Sequence, residues 1–234
     1  MSDVKDEVIR LAQKGYQEVV LTGIHLSSYG VDFKDSDHNL LSLIQSIHQV
    51  DGITRIRLGS LEPRIITEEF VQTLSGLWKV CPHFHLSLQS GCQETLERMN
   101  RRYTADEYRE KCQILRKYYE NPALTTDVIV GFPQESLEEF RESYEFVKEI
   151  QFYETHIFKY SRRKGTKADK MEGQIPEQIK TRRSEQMIAL GQERAFQYEN
   201  SFLGGKLDIL LEEEIQIDGK SYLTGHSREY IKAC

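Results

Sequence analysis

The sequence predicts an α/β protein of parallel strands wrapped as a partial βα barrel, followed by a short all-β segment. Three observations carry this. Strand-like and helix-like stretches alternate through the first 160 residues with connections of a few residues, the pattern of parallel strands joined by right-handed crossovers. No GxGxxG loop is present, which favours a barrel-like wrap over a dinucleotide fold. After Tyr160 the composition shifts to a basic loop, a long polar helix and a short β-rich run.

In order, Ser2 is placed to cap a helix with Val4, Val8, Leu11 and Ala12 on one face, and Gly15 to end it. Residues 18–22 read as a strand stopped by Gly23, and 24–30 as a polar loop. Leu40, Leu43, Ile44 and Ile47 recur at helical spacing, and 55–60 form the next strand. Thr67 caps a helix with Glu68 and Glu69 in its first turn, where the macrodipole favours negative charge. Residues 83–88 alternate with period two and end at Gln89-Ser90-Gly91. A short helical piece follows over 94–99, and Thr104 with Glu107 forms a capping box. Residues 125–131 are a mostly apolar, β-branched strand cut off by Gly131 and Pro133. Ser136 with Glu139 opens the next helix, and 153–160 is a further strand. A long helix begins at Ile175-Pro176 and reaches about Asn200. Strands at 206–211 and 221–225 flank an Asp218-Gly219 turn, with a short strand at 230–233. The predicted boundaries are 1–165 for the partial barrel, 166–202 for the basic loop and linking helix, and 203–234 for the start of a small β-barrel.

At 234 residues the chain suits one domain with a small appendage, and its 38% hydrophobic and 29% charged composition suits a soluble globular protein. The acidic, helix-like start MSDVKDEVIRL reads as neither a signal nor a transit peptide, and the expected location is the cytoplasm. No apolar run approaches a membrane span. The net charge of −6 excludes a surface that attracts nucleic acid everywhere, though not a local basic site. Cys81, Cys92, Cys112 and Cys234 lie at no metal-binding spacing and read as free thiols.

If the strands are parallel, their carboxyl ends converge. They offer Thr22-Gly23, Ser60 with Glu62, Gln89, and the stretch from Asp127 to Gly131, where glycine permits close backbone approach to a ligand. His25, His83 and His85 read as structural histidines sooner than as ligands. No catalytic triad, carboxylate pair or metal-ligand set stands out, so no catalytic or metal residue is assigned. Two basic clusters suit phosphate: Arg98, Arg101 and Arg102; and Lys159, Arg162, Arg163, Lys164 and Lys167, continued by Lys180, Arg182 and Arg183. Tyr103 and Tyr160 lie beside them as candidate stacking surfaces.

The stretches LTGIHLSSYG, RIRLGSLEP, HLSLQSG, RMNRRYT, TDVIVGFP and FKYSRRKGT resemble, in that order, the radical SAM methylthiotransferases, and the first looks most like the branch acting on threonylcarbamoyladenosine in tRNA. The closing run KLDILLEEEIQIDGKSYLTGHSREYIKA is similar to the start of that family's TRAM RNA-binding barrel. The resemblance implies a partial (βα)6 radical SAM barrel that binds S-adenosylmethionine, with an incomplete TRAM-like barrel after it. It also implies two 4Fe-4S clusters in the full-length family, an electron donor, and a tRNA anticodon stem-loop as substrate, modified to the 2-methylthio form. Carried over by position, Thr22 and Gly23 resemble the strand end that meets the methionine amino group. Ser60, Glu62 and Gln89 resemble cofactor or pocket positions. Ile129, Val130 and Gly131 are similar to the strand along adenine, and Phe158 and Tyr160 to the last strand edge. Arg101, Arg102, Arg162, Arg163 and Lys164 become candidates for RNA contact.

The chain departs from the family pattern in lacking the CxxxCxxC motif and the amino-terminal cluster domain. Gln134 stands where Gly is usual, Ser87 where Pro is, and Cys92 where Ser is. The expectation is therefore a fragment, with a βα strand and its cluster loop upstream of Met1, that does not perform the reaction alone. The competing readings are a non-catalytic RNA-binding module and a cluster-free βα-barrel enzyme.

Overall fold

The computed structural model describes residues 1–32 and 38–234. They fall into two compact units: Met1–His85 with Ile114–Ala123 and Phe202–Cys234, and Leu86–Gln113 with Leu124–Ser201. The carboxyl-terminal β segment thus groups with the first strands and helices.

In the first unit, α1 (Ser2–Gln13), β1 (Glu18–Leu21), α2 (Leu40–His48), β2 (Arg55–Leu58) and α3 (Glu68–Ser75) follow the expected order, then β3 (His83–His85). β1 and β2 pair in parallel, Glu18 opposite Arg55 and Leu21 opposite Leu58, and Val80 extends the ladder through a parallel bridge to Ile56. The expected Ser2 cap is not made. Met1 is the N-cap, and the Ser2 hydroxyl, already inside the helix, bonds Asp3 at 3.1 Å. Asn39 and Ser42 form a capping box on α2, and Thr67 accepts from the Phe70 N–H on α3 at 3.2 Å. Ile44, Ile47, Ile53, Ile56, Leu61, Ile66 and Leu74 are fully buried, each contributing about 2 kcal/mol of burial.

β6 (Ile209–Ile217) and β7 (Lys220–Ser227) form an antiparallel ribbon, with β8 (Lys232–Ala233) added antiparallel to β7. The ribbon turns at Asp218 and Gly219, both at positive φ (51° and 75°), as an Asp-Gly hairpin requires. Arg55 and Arg57 on β2 are buried and hold the far end of this ribbon. Arg55 donates to the carbonyls of His226 and Asp208 at 2.8 and 2.6 Å. Arg57 donates to those of Arg228 and Ser227 at 3.1 and 3.2 Å, and grips the Glu18 carboxylate at 3.0 and 3.1 Å. Tyr230 is stacked between His83 and His226, with ring centroids 4.8 and 4.5 Å away.

The second unit contains α4 (Gln93–Arg98), most of β4 (Ala123–Val130), α6 (Leu137–Ile150), β5 (Glu154–Lys159) and α7 (Glu177–Asn200); α5 (Ala105–Tyr118) begins in it. β4 and β5 pair in parallel, Ile129 opposite Phe158. Residues 86–89 run along β4: the Leu86 N–H reaches the Thr125 carbonyl at 3.0 Å and the Gln89 N–H that of Asp127 at 2.8 Å. Both expected capping boxes are present. Thr104 and Glu107 exchange bonds of 3.0 and 2.8 Å, and Ser136 and Glu139 bonds of 3.1 and 2.8 Å. Pro176 stands at the N-cap of α7, one position before the expected first turn.

Candidate functional site

The predicted site residues sit at strand ends in both units. In the first unit, β1 runs out into exposed Thr22 and Gly23, and β2 into Gly59 and exposed Ser60. The Gly59 N–H bonds the Leu21 carbonyl at 2.8 Å. A Cβ at Gly59 would stand 3.0 Å from that oxygen, so a glycine lets β1 and β2 stay paired to their ends. Glu62 is half-buried. Its N–H donates to the Ser27 hydroxyl at 2.9 Å, and its carboxylate meets Arg64 at 3.1 Å.

In the second unit, Gln89 adopts a left-handed backbone (φ 73°) and its carbonyl accepts from the Ile129 N–H at 2.8 Å. Along β4, Asp127 and Ile129 are half-buried while Val128 and Val130 are buried, so the period-two alternation leaves Ile129 open and Val130 closed. Phe158, opposite Ile129 on β5, is 53% exposed. Two apolar side chains thus lie beside one another on the open face of the ladder. Tyr160 continues past β5 and bonds the Val130 carbonyl through its N–H at 2.9 Å. Its ring packs edge-on to Phe132, and its buried hydroxyl has no hydrogen-bond partner among the described residues.

The glycine at 131 has a different reason from the one expected. It sits at φ 72°, and a methyl group there would overlap the Lys180 stem. The space over Gly131 is therefore filled by Lys180, and the glycine answers to packing against α7.

The basic clusters divide on inspection. Arg98 is consumed by a bidentate pair with Glu139 at 2.7 and 2.6 Å, which holds the Glu139 carboxyl below the usual range. Lys180 and Arg183 are buried. Tyr103 is buried too, its hydroxyl bonding the Ser87 and Leu88 carbonyls at 2.8 Å each, so it is no stacking surface. Lys159 pairs with Glu177 at 2.5 Å. Arg162 is exposed but tied to Asp169 at 2.9 and 2.8 Å, which braces its loop. Arg101, Arg102, Arg163 and Lys164 are exposed. The reading from sequence passed over Glu135 as part of this local structure; an acid two residues past Gly-Phe-Pro, with paired cations one turn apart on a later helix, was the available signal.

The cysteines do not form a cluster-binding set. Cys81, Cys92 and Cys112 are buried and Cys234 is exposed. Burial pushes the Cys92 thiol up to about 12 and raises that of Cys81, which disfavours the thiolate that metal ligation needs. Among the described residues no metal-capable group holds more than one cysteine, and no helix is long and apolar enough to cross a membrane.

A family model described as the radical SAM superfamily matches residues 1–147. The chain is 40% identical over 233 residues to the threonylcarbamoyladenosine tRNA methylthiotransferase MtaB of Bacillus subtilis (strain 168), covering 97% of this chain and 51% of that protein. It is 37% identical over 231 residues to the tRNA-2-methylthio-N(6)-dimethylallyladenosine synthase of Thermodesulfovibrio yellowstonii, again covering 97% and 51%. The chain spans about half the length of the curated relatives it matches. Among solved structures it is similar in fold to the radical SAM enzyme coproporphyrinogen III oxidase (HemN) from Escherichia coli, at TM-score 0.58 and 14% identity, covering 87% of this chain and 44% of that one. It also resembles the radical S-adenosylmethionine methyltransferase TsrM from Kitasatospora setae, at TM-score 0.55 and 19% identity, covering 69% and 31%.

Proposed function

The chain belongs to the radical SAM superfamily, and from that premise we propose that it serves a tRNA methylthiotransferase as part of its catalytic barrel. The proposed reaction adds a 2-methylthio group to N6-threonylcarbamoyladenosine beside the anticodon. The observation that carries this reading is 40% identity to a threonylcarbamoyladenosine tRNA methylthiotransferase across 97% of the chain.

Superfamily membership implies S-adenosylmethionine and a 4Fe-4S cluster, and the two fare differently against the residues present. The open pair Ile129 and Phe158 suits a flat aromatic ring, which gains by stacking on apolar edges. The cysteines do not suit a cluster, which thiolates would have to hold: three are buried and scattered, and burial raises the thiols of Cys81 and Cys92. When bound and reduced by one electron from a cluster, S-adenosylmethionine would supply the radical chemistry of the superfamily. The chain's own part is to hold and orient it.

In the second unit, Ile129 and Phe158 flank adenine, while Val130, Gly131 and Tyr160 contribute backbone beside it, and Gln89 braces β4. In the first unit, Thr22 and Gly23 serve the methionine amino group, with Ser60 and Glu62 as polar pocket positions. Arg101, Arg102, Arg163 and Lys164 meet tRNA phosphates, with Arg162 shaping the loop that presents the last two. Residues 1–165 form the barrel part, 166–202 the link, and 203–234 a TRAM-like RNA-binding segment. The partners are the tRNA anticodon stem-loop and, for the whole enzyme, an electron donor; the location is the cytoplasm. The chain alone is inactive. Stoichiometric 4Fe-4S absorbance and cleavage of S-adenosylmethionine by the reconstituted chain would overturn that statement.

RNA binding is tested by titrating tRNA at increasing salt. The expected result is a steep fall in affinity with salt, its slope reduced by about two in the Arg163→Glu, Lys164→Glu double variant. Affinity unchanged by that variant removes the loop from the RNA site. One second reading is a non-catalytic RNA-binding module, which the exposed cations Arg101, Arg102, Arg163 and Lys164 favour. Equilibrium dialysis of S-adenosylmethionine separates the two, since the module reading requires tRNA binding without any binding of the nucleoside.

A further inference from the structure

We infer that Lys180 and Arg183, two buried cations one turn apart on α7, are positioning residues that set the geometry of the β4–β5 strand ends and hence of the Ile129–Phe158 edge. α7 lies outside the segment matched by the superfamily model, which ends at residue 147, so this control reaches the barrel from the chain that follows it. That the edge faces a nucleoside rests on the function proposed above; the clamp stands on geometry alone.

Buried charges are costly unless paired. Arg183 is paired to the turn after β4 through both terminal nitrogens, its Nε having no hydrogen-bond partner among the described residues, and Lys180 is paired to the end of β5 at Tyr160. The Arg183 guanidinium donates through Nη1 to the Glu135 carboxylate at 2.5 Å and the Glu135 carbonyl at 3.0 Å, and through Nη2 to the Ser136 carbonyl at 3.1 Å. The same Glu135 oxygen accepts from the Gly131 N–H at 3.0 Å. Glu135 is therefore a bridge, one carboxylate joining the last residue of the strand end to α7. Lys180 closes the other side. Its ammonium donates to the Tyr160 carbonyl at 2.9 Å and lies 5.5 Å from the Tyr160 ring centre, and its stem covers Gly131. Tyr160 in turn bonds Val130.

The turn needs such a hold. Gly131 and Gln134 both have left-handed backbone, at φ 72° and 69°, and a non-glycine residue in that region carries strain that its surroundings must outweigh. Ile129 and Phe158 each stand two residues before the clamped positions on paired strands, so a shift at Gly131 or Tyr160 moves the edge.

The test uses Lys180→Met, which keeps the stem and removes the ammonium, and Arg183→Gln, with Arg183→Lys as the conservative variant. Hydrogen exchange of the full chain without ligand is expected to speed up about tenfold at the Gly131 and Tyr160 amides, with the interior of α7 unchanged. Arg183→Lys restores part of the protection. Binding of S-adenosylmethionine by equilibrium dialysis is expected to weaken about tenfold in the first two variants. Unchanged exchange at both amides overturns the clamp, as does an equal rise across the whole second unit, which would mark a purely global role. Local exchange changes with unaltered S-adenosylmethionine affinity overturn the link to the edge. Failure of the unaltered chain to bind S-adenosylmethionine at all, beside the expected exchange changes, overturns the proposed function and leaves the clamp standing.

Discussion

The β2 arginines of the first unit and the α7 cations of the second solve the same problem from opposite directions. In the first, Arg55 and Arg57 sit on a sheet strand and reach out to carbonyls of a later ribbon. In the second, Lys180 and Arg183 sit on a later helix and reach back to the ends of the strands. Both hold backbone carbonyls at strand ends and in the turns beside them, and a guanidinium suits the task because its donors fan out in one plane. The difference lies in the counter-ion. Glu18 is on the strand beside Arg57 and pairs with the arginines, whereas Glu135 belongs to the turn being held and passes the restraint to Gly131. The first arrangement anchors a segment; the second shapes one.

The largest expected effect breaks the anchor. Arg57→Met leaves Glu18 without its main partner, takes the guanidinium donor from the Arg228 carbonyl and leaves the Ser227 carbonyl with the Tyr230 N–H, at a cost of about 3–5 kcal/mol. Urea unfolding measures the loss, and exchange protection in residues 220–233 should fall first. Protection kept there would show that Tyr230 stacking anchors the ribbon without Arg57.

Next in size, Gly131→Ala adds left-handed strain to an overlap with Lys180 and should cost about 3 kcal/mol. Combining it with Lys180→Ala removes the overlap. If the double variant loses as much as the two single losses summed, the packing explanation for this glycine fails.

Acid unfolding separates the two carboxylates near α6. The hydrogen bond from Arg98 holds Glu139 below its ordinary 4.5, so its stabilisation is full above that value and is lost as pH falls through the lower folded value. Burial raises Glu135 above 4.5 despite the Gly131 N–H and Arg183, so its contribution is greatest below 4.5 and is lost as pH rises through the higher folded value. Glu139→Gln should therefore flatten the acid limb and Glu135→Gln the limb just above 4.5, read as urea midpoints against pH. Identical profiles for the two variants would erase the contrast.

The smallest expected effect is a gain. Gln134 occupies left-handed backbone at φ 69°, and Gln134→Gly should stabilise by about 1 kcal/mol, measured by thermal unfolding. No gain would mean that the side-chain bond lost with the substitution, from Gln134 Nε2 to the Glu172 carbonyl at 3.4 Å, already outweighs the strain.

Much of the fold was legible because the signals are local. Thr104 with Glu107 and Ser136 with Glu139 cap their helices as their spacing requires, and Asp218-Gly219 turns the hairpin. The Ser2 cap was misread because Met1 enters the helix one position earlier. The candidate site was legible as strand ends and not as side chains. Alternation alone did not tell which of Ile129 and Val130 lies open, since both neighbours of a buried parallel strand are apolar.

By itself the sequence determined the order of strands and helices, the helix starts and the hairpin turn, since each depends on residues within a few positions, and its motifs pointed to the superfamily. Only the tertiary structure decided what the charges do. Arg98, Lys180 and Arg183 read alike as a basic surface, yet their partners Glu139, Tyr160 and Glu135 stand 41, 20 and 48 residues away. Whether a cation is solvated or buried depends on which carbonyls and carboxylates the fold brings to it, and no local pattern records that.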